Sequence, residues 1–208
     1  MKLAGAIAPS TMFALLALVV SCTKNDPVGQ VFGSEVTKSA CEVPGNLVRN
    51  CGFDDSIVGW DVLSGICTHV RDDGSSVHGC LEMASEPSQT IEYASISQCV
   101  RVEPNRTYDL SVYFKGTRDA CTFLAPVFTN FDCSGPNPGG AAGGELKPTD
   151  LWSQSPSFPV KTIAAGGSIS DAKAVKLVVS CMSTSPFTIR FDDGLFVEQR
   201  MDNADSQG

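Results

Sequence analysis

The chain has 208 residues, 42% hydrophobic and 18% charged, with a net charge of −8. That length and apolar content suffice for one domain with a sizeable core. The acidic balance argues against a phosphate-binding surface, and so against nucleic acid as a partner, while leaving neutral ligands and bound cations open.

The N-terminus carries an apolar run, Met12 to Val20, that closes with Ser21 and Cys22. Pro9, Ser10 and Thr11 leave only about nine strongly apolar residues in a row, well short of the ~20 that a spanning helix needs. Val19-Val20-Ser21-Cys22 resembles a bacterial lipoprotein signal, with an ordinary cleaved signal peptide as the alternative. The resemblance implies removal of residues 1–21, lipidation of Cys22 and stable anchoring in a membrane. Thr23 after the cysteine implies the outer membrane of a bacterial cell envelope; plain secretion is the other outcome. Loss of residues 1–21 removes Lys2 and makes the remainder one unit more negative. Residues 22–40 are mostly polar and lack periodicity, as expected of a flexible tether. The segment 41–200 is expected to form the domain, and 201–208 a disordered tail.

Nine cysteines stand in the chain. With Cys22 set aside, Cys41, Cys51, Cys67, Cys80, Cys99, Cys121, Cys133 and Cys181 form an even set, which beyond an export signal reads as a disulfide framework. About a hundred pairings are possible. Cys67 and Cys80 flank a hairpin signal at Asp73-Gly74 and are the one pair predicted here.

No stretch shows a helical period, whereas period-two alternation is abundant. Tyr108, Leu110, Val112 and Phe114 share one phase, with Thr107, Asp109, Ser111, Tyr113 and Lys115 on the other. This is the pattern of a half-buried strand. Ile96, Gln98, Val100 and Val102 form a second apolar phase. Val175, Leu177, Val179 and Cys181 form a third, and Phe187, Ile189 and Phe191 open a fourth. Shorter strands are predicted at 46–50, 59–64, 67–71, 80–84, 122–130 and 152–160. Turn signals at Asp73-Gly74, Pro104-Asn105, Ser134-Gly135 and Gly166-Gly167 separate them. Many short strands spaced by turns predict an all-β, antiparallel β-sandwich. Residues 134–148, rich in glycine and proline, are predicted as one long loop, either a mobile surface loop or a functional one.

Four ordered pieces carry a resemblance. They are Asn46 to Asp55 with Gly59-Trp60; Ile96-Ser-Gln-Cys-Val-Arg-Val-Glu-Pro-Asn-Arg-Thr-Tyr-Asp-Leu-Ser-Val-Tyr-Phe-Lys115; Phe131 to Gly135 with Trp152 and Phe158; and Phe187 to Phe196. In this order they resemble carbohydrate-binding modules of the family four, nine and twenty-two type, which are galactose-binding-like jelly rolls. The resemblance covers residues 46–198. It implies glycan binding without catalysis, and a structural calcium held between an opening acidic residue and a closing Asp pair. Carried over, the calcium ligands are Asp54 with Asp192 or Asp193, completed by backbone carbonyls. Asp54 stands where the family usually has Glu. Asn105 replaces the turn glycine, which asparagine tolerates at positive φ.

Asp193 falls on the phase of Phe187, Ile189 and Phe191. A carboxylate there needs compensation. Three explanations stand: a bulge at Gly194 turning it outward, an ion pair with Arg49 or Arg190, or the cation. Tyr113, on the polar, outward phase of the clearest strand, is the lead sugar-stacking candidate, joined by Tyr93 and Gln98. Trp60 and Trp152 sit where the family places structural tryptophans and are assigned to packing. His69, Asp72, Asp73, His78 and Cys80 cluster in sequence, but a hairpin explains them better than a metal does.

No Gly-x-Ser-x-Gly occurs, and Glu82, Glu92, Glu103 and Glu145 show no glycosidase signature. The expected protein is a monomeric, lipid-anchored, non-catalytic glycan-binding domain. With three Tyr and two Trp in the whole chain, a structural or adhesive envelope domain is the alternative, and a glycan-active hydrolase a third reading.

Overall fold

The computed structural model describes residues 39–76, 79–85, 92–116, 121–137, 141–162 and 171–199. Cys22, the signal, His78, Gly166-Gly167, the tail from 201 and most of the predicted tether lie outside them. Among the described residues no helix is long and apolar enough to cross a membrane.

Among the described residues, eleven strands follow a 3-10 turn at Ala40–Glu42. They are β1 (Asp61–Ser64), β2 (Ile66–Val70), β3 (Cys80–Ala84), β4 (Glu92–Arg101), β5 (Thr107–Gly116), β6 (Cys121–Phe128), β7 (Ala141–Leu146), β8 (Ser153–Gln154), β9 (Phe158–Lys161), β10 (Ala174–Ser183) and β11 (Thr188–Glu198). One five-stranded antiparallel sheet runs β1-β4-β10-β6-β7. The other runs β2-β3-β11-β5-β8, with β9 also paired to β5. The all-β sandwich expected from the alternation is what forms.

The apolar phases meet between the sheets. Tyr108, Leu110, Val112 and Phe114 of β5 and Ile189, Phe191 and Phe196 of β11 face Ile96 and Val100 of β4, Leu177 and Val179 of β10, and Phe123 and Val127 of β6; all are buried. Each such side chain stabilises the fold by about 1.5–3 kcal/mol through apolar surface removed from water. Tyr108 stacks on Phe196 at 4.9 Å, and its hydroxyl accepts the Glu103 N–H at 2.9 Å, so its polar end is satisfied. Asn105 adopts φ +58°, as the turn signal requires.

Three disulfides form among the described residues: Cys41–Cys51, Cys99–Cys133 and Cys121–Cys181. Cys121 and Cys181 are directly opposed on β6 and β10. The predicted Cys67–Cys80 bridge is wrong: both are free thiols. The hairpin exists, but its register sets Cys67 opposite Met83 and Cys80 opposite Val70. Cys67 shares the phase of buried Met83, and Cys80 that of Glu82. The two thiols therefore point to opposite faces of the sheet, because side chains alternate along a strand.

Two strand predictions and one loop prediction also shift. Residues 46–50 are not a strand. Asn46 instead ties loops together: its amide donates to the carbonyls of Ala40 and Gly194, both at 2.9 Å, and its carbonyl accepts from Val48 and Phe196 N–H. The 152–160 segment splits into β8 and β9. The glycine-rich loop contains the edge strand β7. A Cβ on Gly143 would lie 1.9 Å from the Phe123 carbonyl, and one on Gly144 would lie 2.3 Å from the Phe158 ring. Glycine here permits close strand and ring packing rather than a free loop.

Candidate functional site

The closing Asp pair sits at a bulge. The β11–β5 register slips between Asp192 and Leu195, and Asp193 adopts φ +46°. The bulge expected near Gly194 is therefore present, yet it turns neither carboxylate out: Asp192 and Asp193 are 1% and 3% exposed. Asp193 accepts from Ser39 Oγ at 2.7 Å, Ala40 N–H at 2.8 Å and Ser75 Oγ at 2.6 Å. Asp192 accepts the N–H groups of Ser75 at 2.6 Å and Asp193 at 2.7 Å. The expected arginine pairing does not form. Arg190 pairs with Asp73 and Glu82 instead, and Arg49 lies on the surface. Ser39 and Ala40, placed in the tether by sequence, belong to this site.

Burial first, then the neighbouring Asp193 charge, pushes the Asp192 carboxyl up to about 7, against the lowering effect of the Ser75 N–H bond. Two adjacent buried carboxylates, held by neutral donors and by no Lys or Arg, offer hard oxygen chemistry that fits calcium. The Asp54 carboxylate and Ser39 Oγ approach the same side of Gly52, where an added Cβ would lie 3.2 and 3.3 Å from them. Among the described residues no three His, Cys, Asp or Glu side chains gather as a metal cluster. A cation here would draw its remaining ligands from carbonyl and water oxygens.

The sugar-site candidates separate. Tyr93 lies on the outward phase of β4, 43% exposed. Around it this phase carries Ser95, with Ser180 and Met182 opposite on β10, and Thr122 opposite Ser180 on β6. Ser95 is fully buried, its hydroxyl bonded to the Val179 carbonyl at 3.1 Å and to Ser180 Oγ at 2.8 Å, and Tyr93 Oη meets Ser180 Oγ at 3.3 Å. Asp61 on β1 and Glu145 on β7, both exposed, flank these hydroxyls across the sheet. Leu124 and Met182 add exposed apolar surface.

Tyr113 is on the other sheet, facing the opposite side of the sandwich. It is half-buried and donates to Gln154 Oε1 at 3.3 Å. Beside it Lys115 and Arg190 both pair with Asp73, Arg190 also holds Glu82, and Trp152 donates to Asp73 while Lys115 lies 4.9 Å over its ring. These two cations hold Asp73 below the usual carboxylate range despite burial. This self-neutralised network latches the 71–76 loop. Asp73 and Cys80 are thus accounted for without the metal reading.

Gln98 is fully buried. Its amide donates to the carbonyls of Arg49 at 2.8 Å and Gly59 at 3.0 Å and accepts the Arg49 N–H at 2.8 Å. It is a strut inside the sandwich, not a group available to a ligand. Trp60 is buried against Phe53, as assigned. Sequence reasoning missed the Ser180–Thr122 pair and the buried Ser95 beneath it, because small polar residues carry no motif until strand order places them side by side.

No protein-family model matches the chain, and no curated protein matches it in sequence. Solved structures do. The family 16 carbohydrate-binding module-2 matches at TM-score 0.54 and 18% identity, over 74% of this chain and 100% of that one. The family 61 module solved with β-1,4-galactotriose matches at 0.53 and 16%, over 74% and 99%. The enzymatically active domain of tailspike protein 4 from bacteriophage CBA120 matches at 0.58 and 15%, over 74% of this chain. This chain spans about a fifth of that tailspike chain, 21%. At such identities these likenesses establish the shared β-sandwich fold.

Proposed function

We propose that this is a non-catalytic glycan-binding domain whose binding face is the outer side of the five-stranded sheet. The observation that carries the reading is exposed Tyr93 beside the half-buried Ser180 and Thr122 hydroxyls, with buried Ser95 holding Ser180 from beneath, an arrangement suited to sugar hydroxyls and to stacking of a sugar C–H face. The carbohydrate-binding modules among its structural neighbours, one of them solved with galactotriose, support the reading.

Among the described residues, the exposed carboxylates that flank the face stand far apart. Asp61 and Glu145 lie on opposite edge strands, four strand spacings of about 4.8 Å apart, or roughly 19 Å. Glycosidase carboxylates stand no more than about 9.5 Å apart. One exposed tyrosine on the face is few for tight binding, which keeps a structural or adhesive envelope role as the second reading.

We further propose that Cys22 carries the lipid and tethers the domain at a bacterial cell envelope, and that calcium occupies the Asp192–Asp193 site. A glycan-array screen followed by calorimetry tests the function. Tyr93→Ala should weaken binding about tenfold or more, the loss of one stacking contact, and Tyr113→Ala should leave it unchanged. The reverse pattern would move the site to the other sheet, and silence from the folded protein would favour the structural reading. Metabolic labelling with palmitate should mark the wild type and not Cys22→Ala.

A further inference from the structure

The outer phase of β4 runs from Tyr93 through Ser95, Ser97 and Cys99 to Arg101. At the Arg101 end the surface changes character. Phe131, in the turn after β6, is 57% exposed, and both the Arg101 guanidinium and the Lys173 ammonium stand 5.4 Å from its ring centre. The Cys99–Cys133 disulfide pins this turn to β4, and Cys99 Sγ lies 3.5 Å from the Phe131 carbonyl. Two adjoining clefts of about 740 and 550 Å³ share Leu47, Arg101 and Phe131 in their walls, and Arg49 lines the second. Lys176 lies on the same outward phase, opposite Cys99.

Among the described residues none of Arg49, Arg101, Lys173 and Lys176 forms an ion pair. Among the described residues, no acidic group that lines the clefts is ion-paired to them. Asp132 accepts the Ser134 N–H at 3.1 Å and its hydroxyl at 2.6 Å, Glu198 pairs with Arg106 at 3.4 Å, and Glu103, also in the first cleft, makes no ion pair. An aromatic ring holds a cation in place without cancelling its charge, as a carboxylate would. In a chain of net charge −8, these four cations outnumber the unpaired Glu103 and Asp132 that line the same clefts, whereas Asp61 and Glu145 flank the face elsewhere, so a charge gradient runs along it.

We infer that the Phe131 end reads an acidic sugar, carboxylated or sulfated, on a glycan whose neutral units lie against Tyr93, Ser180 and Thr122. The inference rests on the glycan-binding reading and adds to it a substrate class and a direction of binding. Full-length protein is titrated with matched oligosaccharide pairs: uronic-acid-bearing galacto-oligosaccharides against their carboxyl-reduced forms, and sulfated ones against desulfated forms. The acidic member should bind at least about tenfold tighter, with the preference shrinking as salt rises from about 0.02 to 0.5 M. Whichever pair shows the preference names the acid. Arg101→Gln with Lys173→Gln should erase the preference and leave neutral binding intact. Phe131→Ala should reduce it about fivefold by freeing the cations, and Phe131→Trp should retain it; unchanged melting shows that the surface variants fold. Equal binding of both members, or a preference that survives the double variant, overturns the inference while Tyr93-dependent neutral binding keeps the glycan reading. Acidic binding that ignores Tyr93→Ala would retain the cationic end and overturn the sheet-face reading. Absence of all binding defeats both.

Discussion

Gln98→Leu separates a strut from a ligand contact. The wild-type amide makes three hydrogen bonds, at 2.8, 2.8 and 3.0 Å, that tie the Arg49 and Gly59 backbones to the interior face of β4. Leucine fills a similar volume, so the cavity term is small and the hydrogen bonds dominate. Each is worth about 1 kcal/mol net, and a buried group left unpaired costs about 1–3 kcal/mol. Arg49 is itself exposed, so part of its backbone regains water and the lower end applies. The sum is about 3 kcal/mol, a large share of the roughly 5–15 kcal/mol that holds a domain together. For a domain of this size that is about 6–12 °C in Tm. Urea unfolding of the oxidised protein, followed by tryptophan fluorescence, measures it. Glycan affinity of the folded fraction should not change. A stability loss under about 1 kcal/mol, or lost affinity at unchanged stability, would refute the assignment.

Other consequences are equally direct. With calcium chelated, Asp192 keeps a proton in the folded state that the unfolded chain has released, so stability should fall as pH rises from about 4 to about 7. Asp192→Asn should flatten that slope. Because a cation needs the ionised carboxylate, calcium should raise Tm at pH 8 and lose its effect near pH 5. A calcium effect that is independent of pH would contradict this. Burial pushes the Cys67 and Cys80 thiols up to about 11 and about 12, so at pH 8 about a thousandth or less of each is thiolate. Iodoacetamide with peptide mapping should label neither in the native protein and both after unfolding without reductant. Gly143→Ala sets a Cβ against the Phe123 carbonyl at φ +144°. Calorimetry should show about 2 kcal/mol of destabilisation, whereas Ala142→Gly, one position away, should cost about 1 kcal/mol or less.

The alternation of Tyr108 to Phe114 and of Val175 to Cys181 made the long strands readable, because burial of one face leaves a period of two in the residues themselves. Asn105 and the hairpin at Asp73-Gly74 were readable for local conformational reasons. What sequence hid is relational. Cys67 and Cys80 look like a pair until the register shows them on opposite faces. Gln98 looks polar and available until its partners at residues 49 and 59 arrive from a loop. Tyr93 and Tyr113 have similar local patterns, and only strand order reveals that they face opposite sides of the sandwich. Ser39 and Ala40 read as linker because their partner, Asp193, lies some 150 residues away.

The same two residues decide how the domain bears load. A pull on the chain N-terminal to Ser39 first reaches its hydrogen bonds and those of Ala40 to Asp193, beside the centre of the β2–β3–β11–β5 layer. Behind them stands a covalent stop, since Cys41 is bonded to Cys51, whose carbonyl accepts the Gly194 N–H at 2.9 Å. Tension entering there meets a clasp on β11 before any edge strand can peel. Rupture forces measured with the pull at the N-terminus should therefore drop when Asp193 is replaced by alanine, and drop again when Cys41 and Cys51 are reduced.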